Sequence, residues 1–170
     1  AHVVHGVLRC NLRLNEKLIL DFLDVLWRSK DSTLNHLKFK RNREEEKSNI
    51  YNFLGRAYEN LGVHRQAVEY TIKNLEITKT IYGEKHGKTA SSYNNAAVVF
   101  ESLAEHQKAL EYFKKSLEIE KYISETNFSR IVKLYNNLSI VCRSSGNPKK
   151  ALEFCEKALK IWKKNPSELH

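Results

Sequence analysis

Apolar residues recur at three- and four-residue spacing through most of the chain. From Tyr51 the series runs through Leu54, Tyr58 and Leu61, breaks, and resumes at Ala67, Tyr70 and Leu75. That spacing puts side chains on one face of an α-helix, and the break predicts a tight turn between two helices. The pattern then returns at a fixed step. Tyr51-Asn52-Phe53-Leu54-Gly55 aligns with Tyr93-Asn94-Asn95-Ala96-Ala97 and with Tyr135-Asn136-Asn137-Leu138-Ser139, each 42 residues on. Ala67, Ala109 and Ala151 keep the same period, as do Leu75, Leu117 and Leu159, and Ile77, Ile119 and Ile161. A helix-turn-helix unit of this length cannot bury its own apolar face, so stacked copies must share one core.

The turn residues agree with this division. Gly62 and Gly146 stand where the first helix of a unit must end in a left-handed residue, and Ala104 takes that place in the middle unit as the exception. Pro148 opens the second helix of its unit, where a missing N–H is harmless, and His64 and His106 align with it. That alignment removes both histidines as metal ligands. The column Ala67, Ala109, Ala151 supplies the small residue needed where paired helices cross closely. Residues 47–88, 89–130 and 131–165 are thus three repeats, with a short tail over 166–170.

Residues 1–46 lack the signature. Leu8, Leu12, Ile19, Leu23 and Leu26, with Phe22 and Trp27 beside them, predict one amphipathic helix that serves as a cap or a degenerate repeat. The stretch Leu18 to Trp27 reads as core, with an internal groove ligand as the alternative. The run from His36 to Lys47 is basic and then acidic, which places its glutamates just before the first repeat helix, where the helix dipole favours them.

Composition narrows the classes further. Hydrophobic residues make up 41% and charged residues 29%, enough for a core, while six glycines, two prolines and no alternating β-branched runs argue against sheet. The fold class is therefore all-α, an α-α superhelix of three helix-turn-helix repeats with N-terminal capping helices. The densest apolar stretch, Leu18 to Trp27, is ten residues and carries Asp21 and Asp24, too short and too charged to cross a membrane. Cys10, Cys142 and Cys155 form no CxxC pair, and with no secretory leader they point to a reducing, cytoplasmic setting. Cys142 and Cys155 align with Tyr58 and Phe100 and with Thr71 and Phe113, so both read as buried small hydrophobes. The chain starts at Ala1 and contains no Met, which reads as a processed chain or a fragment.

The residues quoted above resemble those of tetratricopeptide repeat proteins over residues 47–163, and in particular the 42-residue variety of kinesin light chains. In that family a linker G-x-x-H-P precedes a helix beginning L-N-N-L-A. Here Gly83-Glu84-Lys85-His86-Gly87 precedes Tyr93-Asn94-Asn95-Ala96-Ala97, and the helix start returns at Tyr135. The resemblance implies a solenoid that works as a non-enzymatic protein-interaction scaffold, and by it the peptide-holding asparagines fall on Asn94, Asn95, Asn136 and Asn137.

First helices line the concave wall of such a stack, and residues not claimed by packing face outward from it. That set includes Asn52 and Arg56 from the first repeat, Asn94 and Asn95 from the second, and Lys133, Asn136, Asn137 and Arg143 from the third. An asparagine offers two amide donors and a carbonyl acceptor, so a row of them can hold an extended peptide by its main chain. Arg56, Lys133 and Arg143 then select acidic partners. The competing role for the asparagines is to brace neighbouring repeats by local hydrogen bonds.

The net charge of +9 sits mostly on outer faces, in pairs such as Lys114-Lys115, Lys149-Lys150 and Lys163-Lys164. Basic and aromatic residues do not interleave as single-strand nucleic-acid readers do, so RNA binding ranks behind peptide binding, as does a sensing role inside a multidomain ATPase or enzyme. Gly83 to Thr89 mimics a phosphate loop but is one residue short and follows a helix instead of a strand. No HExxH, GxSxG or dinucleotide fingerprint occurs, so no catalysis, cofactor or metal is expected. The final helix presents Leu152, Leu159 and Trp162 with no polar helix after it, which opens a route to self-association.

Overall fold

The computed structural model describes residues 36–123 and 128–164. Among these are six α-helices: α1 (His36–Asn60), α2 (His64–Tyr82), α3 (Gly87–Ser102), α4 (His106–Ile123), α5 (Phe128–Ser144) and α6 (Pro148–Lys164). No strand occurs among the described residues. The chain divides into two compact units, Ala1–Arg43 and Glu44–His170, and the repeats lie in the second. Cys10 and the apolar stretch from Leu18 to Trp27 lie outside the described residues.

The helices pair as the 42-residue period requires. Helix α3 packs on α4 and α5 on α6, while α2 meets α3 and α4 meets α5, so each second helix also touches the first helix of the next unit. The small-residue column marks the close crossings: Ala67 and Ala109 are fully buried, as are Ala96 and Ala97 on α3. Phe113, Leu138, Val141 and Phe100 fill the spaces around them in one continuous cluster that runs from α3 to α6. Between α1 and α2 the rings of Tyr58 and Tyr70 stack at 5.4 Å.

Each helix pair turns through the same backbone device. Gly62 and Gly146 have φ of 69° and 78°, and Ala104 adopts the same left-handed conformation at 57°. The Ala at the middle turn is therefore no exception in conformation; it takes the strained backbone with a Cβ in place. The same two hydrogen bonds close each turn, from the left-handed residue to the carbonyl three before it and from the next residue to the carbonyl five before it. Because a Cβ is unfavourable at this φ, Ala104→Gly should raise stability by about 0.5–1 kcal/mol. A urea titration against the parent chain checks it, and a loss of stability would mean that the freedom Gly gives the unfolded chain outweighs the relief of strain.

Two expectations change. Helix α1 begins at His36, so Glu44, Glu45 and Glu46 sit inside it and do not precede it as N-terminal dipole partners. The helix instead uses Glu44 in a local ion pair with Lys47 at 3.3 Å. Cys142 is buried, as its register implies, and burial pushes its thiol above the usual value. Cys155, in the register of buried Thr71 and Phe113, is exposed. Thr71 packs against α1 at Gly55 and Phe113 lies in the cluster shared with the next repeat, while no further repeat helix lies over α6 among the described residues.

Candidate peptide-binding wall

The first helices α1, α3 and α5 lie side by side, and their asparagines meet across the gaps. Asn95 donates from Nδ2 to Oδ1 of Asn52 at 2.8 Å, and Asn137 donates to Oδ1 of Asn94 at 3.1 Å. Both pairs are 43 residues apart, one more than the repeat, because the second Asn of each helix reaches back to the first Asn of the helix before. Asn94 in turn donates to Asn95 at 3.4 Å, which joins the two rungs into one ladder. Ser102 reaches Glu59 at the same offset.

The ladder has two different ends. Phe53 stands in the column of Asn95 and Asn137 and is 70% exposed, so the ladder stops at α1 with an apolar ring. At the other end Asn136 is exposed on α5, in the register of the acceptors Asn52 and Asn94. Thus four predicted asparagines brace the repeats to one another. Each rung uses only part of the capacity of an Asn side chain, which has two donors and two acceptor sites.

Two adjoining hollows open above the ladder. One, of about 320 Å³, runs from α1 to α3 and is lined by Ser48, Asn49, Asn52, Lys88, Asn95 and Arg130 among others. The second, of about 370 Å³, runs from α3 to α5 and includes Asn94, Asn95, Asn137, Lys133, Arg130 and Glu120. Asn95 and Arg130 belong to both, so the hollows form one trough along the wall. Below it Val98 and Ile140, one repeat apart, are 39% and 45% exposed. Arg56, Asn136 and Arg143 are exposed but line neither hollow.

The cations in the trough are Lys88, Arg130 and Lys133. The carboxylate beside them, Glu120, is almost fully buried and meets Nη1 of Arg130 at 3.0 Å, while Arg130 itself stays half exposed. Sequence reasoning picked Lys133 and missed the other two. The period contains the signal, since Lys88 and Arg130 are 42 residues apart, one turn before Ser91 and Lys133 on their helices.

The loop that mimics a phosphate site does something else. His86 caps α3, its Nδ1 accepting from the Lys88 N–H at 3.1 Å, and its ring stacks on Tyr82 at 4.7 Å. Thr89 donates to the Gly83 carbonyl at 2.7 Å, so the Thr hydroxyl is spent on the turn. Glu84 is held by Lys79 at 2.7 Å and by the Tyr93 hydroxyl at 3.1 Å. The lysine keeps the Glu84 carboxyl below its usual range, and burial with the Glu84 contact moves the Tyr93 hydroxyl up. His64 and His106 likewise pair with Glu59 and Glu101, at 3.2 and 3.0 Å, across their own turns. Among the described residues no cluster of three or more His, Cys, Asp or Glu is placed to hold a metal, and no helix is long and apolar enough to cross a membrane.

Stacked helix pairs with a shared core and a continuous wall of first helices define a helical-repeat interaction module. Comparison with known families gives the class its name. Tetratricopeptide repeat profiles match residues 46–121 and 132–165. The chain belongs to the tetratricopeptide repeat family.

No curated protein sequence matches the chain. Among solved structures it is similar to BtubC (BKLC) from P. vanneervenii, with a TM-score of 0.68 and 23% identity over 77% of this chain and 54% of that one. It is also similar to the nearly identical TPR-like repeats of a Podosopora anserina kinesin light chain candidate, at 0.61 and 20% over 69% and 56%. The TPR domain of Arabidopsis FLU aligns at 0.63 and 14%, over 71% of this chain and 98% of that domain. The chain thus spans about half the length of the first two. These likenesses support the solenoid fold, and the repeats make the protein an interaction scaffold in general terms.

Proposed function

We propose that the trough over α1, α3 and α5 holds an extended, acidic peptide segment of a partner protein. One observation carries the reading: three cations, Lys88, Arg130 and Lys133, border the hollows above the asparagine ladder, and the carboxylate among them is buried against Arg130. Asparagine groups left over from the ladder, and Asn136 beyond it, supply donors and acceptors to a peptide main chain without regard to its sequence. The cations then choose carboxylate side chains, with Arg130 already oriented by Glu120. The exposed Val98 and Ile140 offer an apolar strip below for side chains on the other edge of the same peptide.

Lys88→Glu combined with Lys133→Glu is the direct test: both residues are exposed, and Lys88 gives up its contact with the Tyr82 hydroxyl and ring in the exchange. In fluorescence anisotropy, a labelled twelve-residue peptide rich in Glu and Asp should bind the parent chain and lose about tenfold or more in affinity to the double variant, at least ~1.4 kcal/mol. A version with Gln for every acid should bind weakly to both. Unchanged affinity for the acidic peptide, with helicity intact by circular dichroism, overturns the charge selection. Equal loss on Asn136→Ala for acidic and Gln peptides alike supports the main-chain hold.

A further inference from the structure

Helix α6, the last of the described helices, has apolar surface beyond what its contacts use. Ala151, Phe154, Ala158 and Ile161 turn toward the core, and Ala158 is buried there. Leu152, Cys155, Leu159 and Trp162 form a second stripe beside the first, at the three- and four-residue steps of one helix face. All four are exposed, Leu152 by 61%, Leu159 by 49% and Trp162 by 50%.

The repeat shows what such a stripe is for. Leu159 has the register of Leu75 and Leu117, which are 5% and 7% exposed. Leu75 lies in a buried cluster with Ala90 and Tyr93 of α3, and Leu117 in one with Ile131 and Leu134 of α5. Trp162 has the register of Thr78 and Glu120, each of which bonds the next first helix, Thr78 through Ser92 and Glu120 through Arg130. So at both inner copies of this face a helix lies on these positions. The stripe on α6 is shaped for a helix by the same geometry.

Charge tells which helix. Helix α6 carries six lysines and two glutamates, where α2 has three basic and two acidic residues and α4 has four and three. Along the solvent side of the stripe helical spacing places Lys149, Lys160 and Lys163 against a single Glu156. A second copy of α6 laid against the first would bring two such lysine edges together, which costs binding. An apolar seam bordered by acids would meet the leucines, the tryptophan and the lysines at once.

We infer that the α6 face docks an amphipathic helix with an acidic flank, supplied by a partner protein. This surface is separate from the trough, so the two engage independently, and a partner that offers both an acidic strand and an acidic helix gains by linkage.

Cys155 lies within the stripe and is exposed, which makes it the reporter. The probes are two synthetic 18-residue helices with identical leucine seams, one with Glu and one with Lys on the polar face. Alkylation of Cys155 by iodoacetamide in the intact chain, read by peptide mass spectrometry, should slow at least tenfold at saturating Glu helix and not at all with the Lys helix. Leu159→Gln, at an exposed site that leaves helicity unchanged, should abolish the protection, and Lys88→Glu with Lys133→Glu should leave it intact. Equal protection by both helices, or by neither, overturns the inference. Protection without any peptide that rises with protein concentration, together with a dimer in analytical ultracentrifugation, overturns it in favour of a second copy on this face.

Discussion

Phe113→Ala should cost the array about 3–5 kcal/mol, the largest loss expected from any single core truncation here. The ring is 2% exposed and belongs to the cluster that joins α3, α5 and α6, so it is packed by its own repeat and by the next one. Removing it leaves a cavity at a crossing where the alanines of α3 cannot move inward without pulling the whole first helix. At this chain length each kcal/mol moves the melting midpoint by about 2–4 °C, so the midpoint should fall by about 6–20 °C. Since a repeat array draws its stability from interfaces between neighbours, the loss should also broaden the transition as the third repeat uncouples from the second. Cys155 in the same register is the internal control: Cys155→Ala should shift stability by less than about 0.5 kcal/mol, because that site is open. Thermal melts followed at 222 nm separate the two. A loss below about 1 kcal/mol for Phe113→Ala would mean that the inter-repeat core is not where the stability resides.

The contrast between Phe113 and Cys155 also shows what a sequence can and cannot announce. The period, the pairing of helices, the left-handed turns and the small-residue column, buried at Ala67 and Ala109, are local or strictly periodic features, so they are legible from the spacing of apolar and small residues alone. Burial at one register position depends on what packs over it, and among the described residues no repeat helix lies over that face of α6, so Cys155 parts from its column. The extent of α1 ahead of the first repeat was hidden for another reason: Ser48 and Asn49 offer cap-type residues just before Tyr51, and the charged stretch carries no apolar period to extend the repeat pattern backward.

At the candidate site the asparagines were visible as a conserved-register row, but their partners were not. A side chain that faces the wall can bond a peptide, its neighbour across the gap, or both, and the bond to the neighbour shows only in the offset of 43 residues between Asn52 and Asn95 and between Asn94 and Asn137. Lys88 and Arg130 were overlooked because they occupy the first turns of α3 and α5, where a lysine or arginine reads as part of the loop. The loss of Arg56 and Arg143 from the trough follows from the helical pitch. Arg56 shares its column with Val98 and Ile140, and Arg143 shares its own with Glu59 and Glu101, both on the side of the wall away from the two hollows.

Gly55 makes a second strong prediction, and its sign can be reversed by design. A Cβ at this position would lie 2.7 Å from Cγ2 of Thr71 and 3.4 Å from the Thr71 backbone nitrogen, where α1 crosses α2. Thr71 is buried and cannot simply rotate, because its hydroxyl donates to the Ala67 carbonyl at 2.8 Å and that bond fixes the methyl toward Gly55. Gly55→Ala therefore trades about 1 kcal/mol of helix propensity against a steric overlap of about 1–3 kcal/mol and should come out destabilising. Gly55→Leu adds bulk with nowhere to go and should cost about 3 kcal/mol or more. Thr71→Ser keeps the hydroxyl and removes the methyl, so in the Gly55→Ala, Thr71→Ser pair the overlap disappears while the propensity gain remains. The coupling in a double-mutant cycle should then be favourable by about 1–2 kcal/mol, with the double variant more stable than either single one in urea unfolding. Additive behaviour would show that the two helices separate to admit the methyl at little cost, and that the crossing at Gly55 is not a tight one.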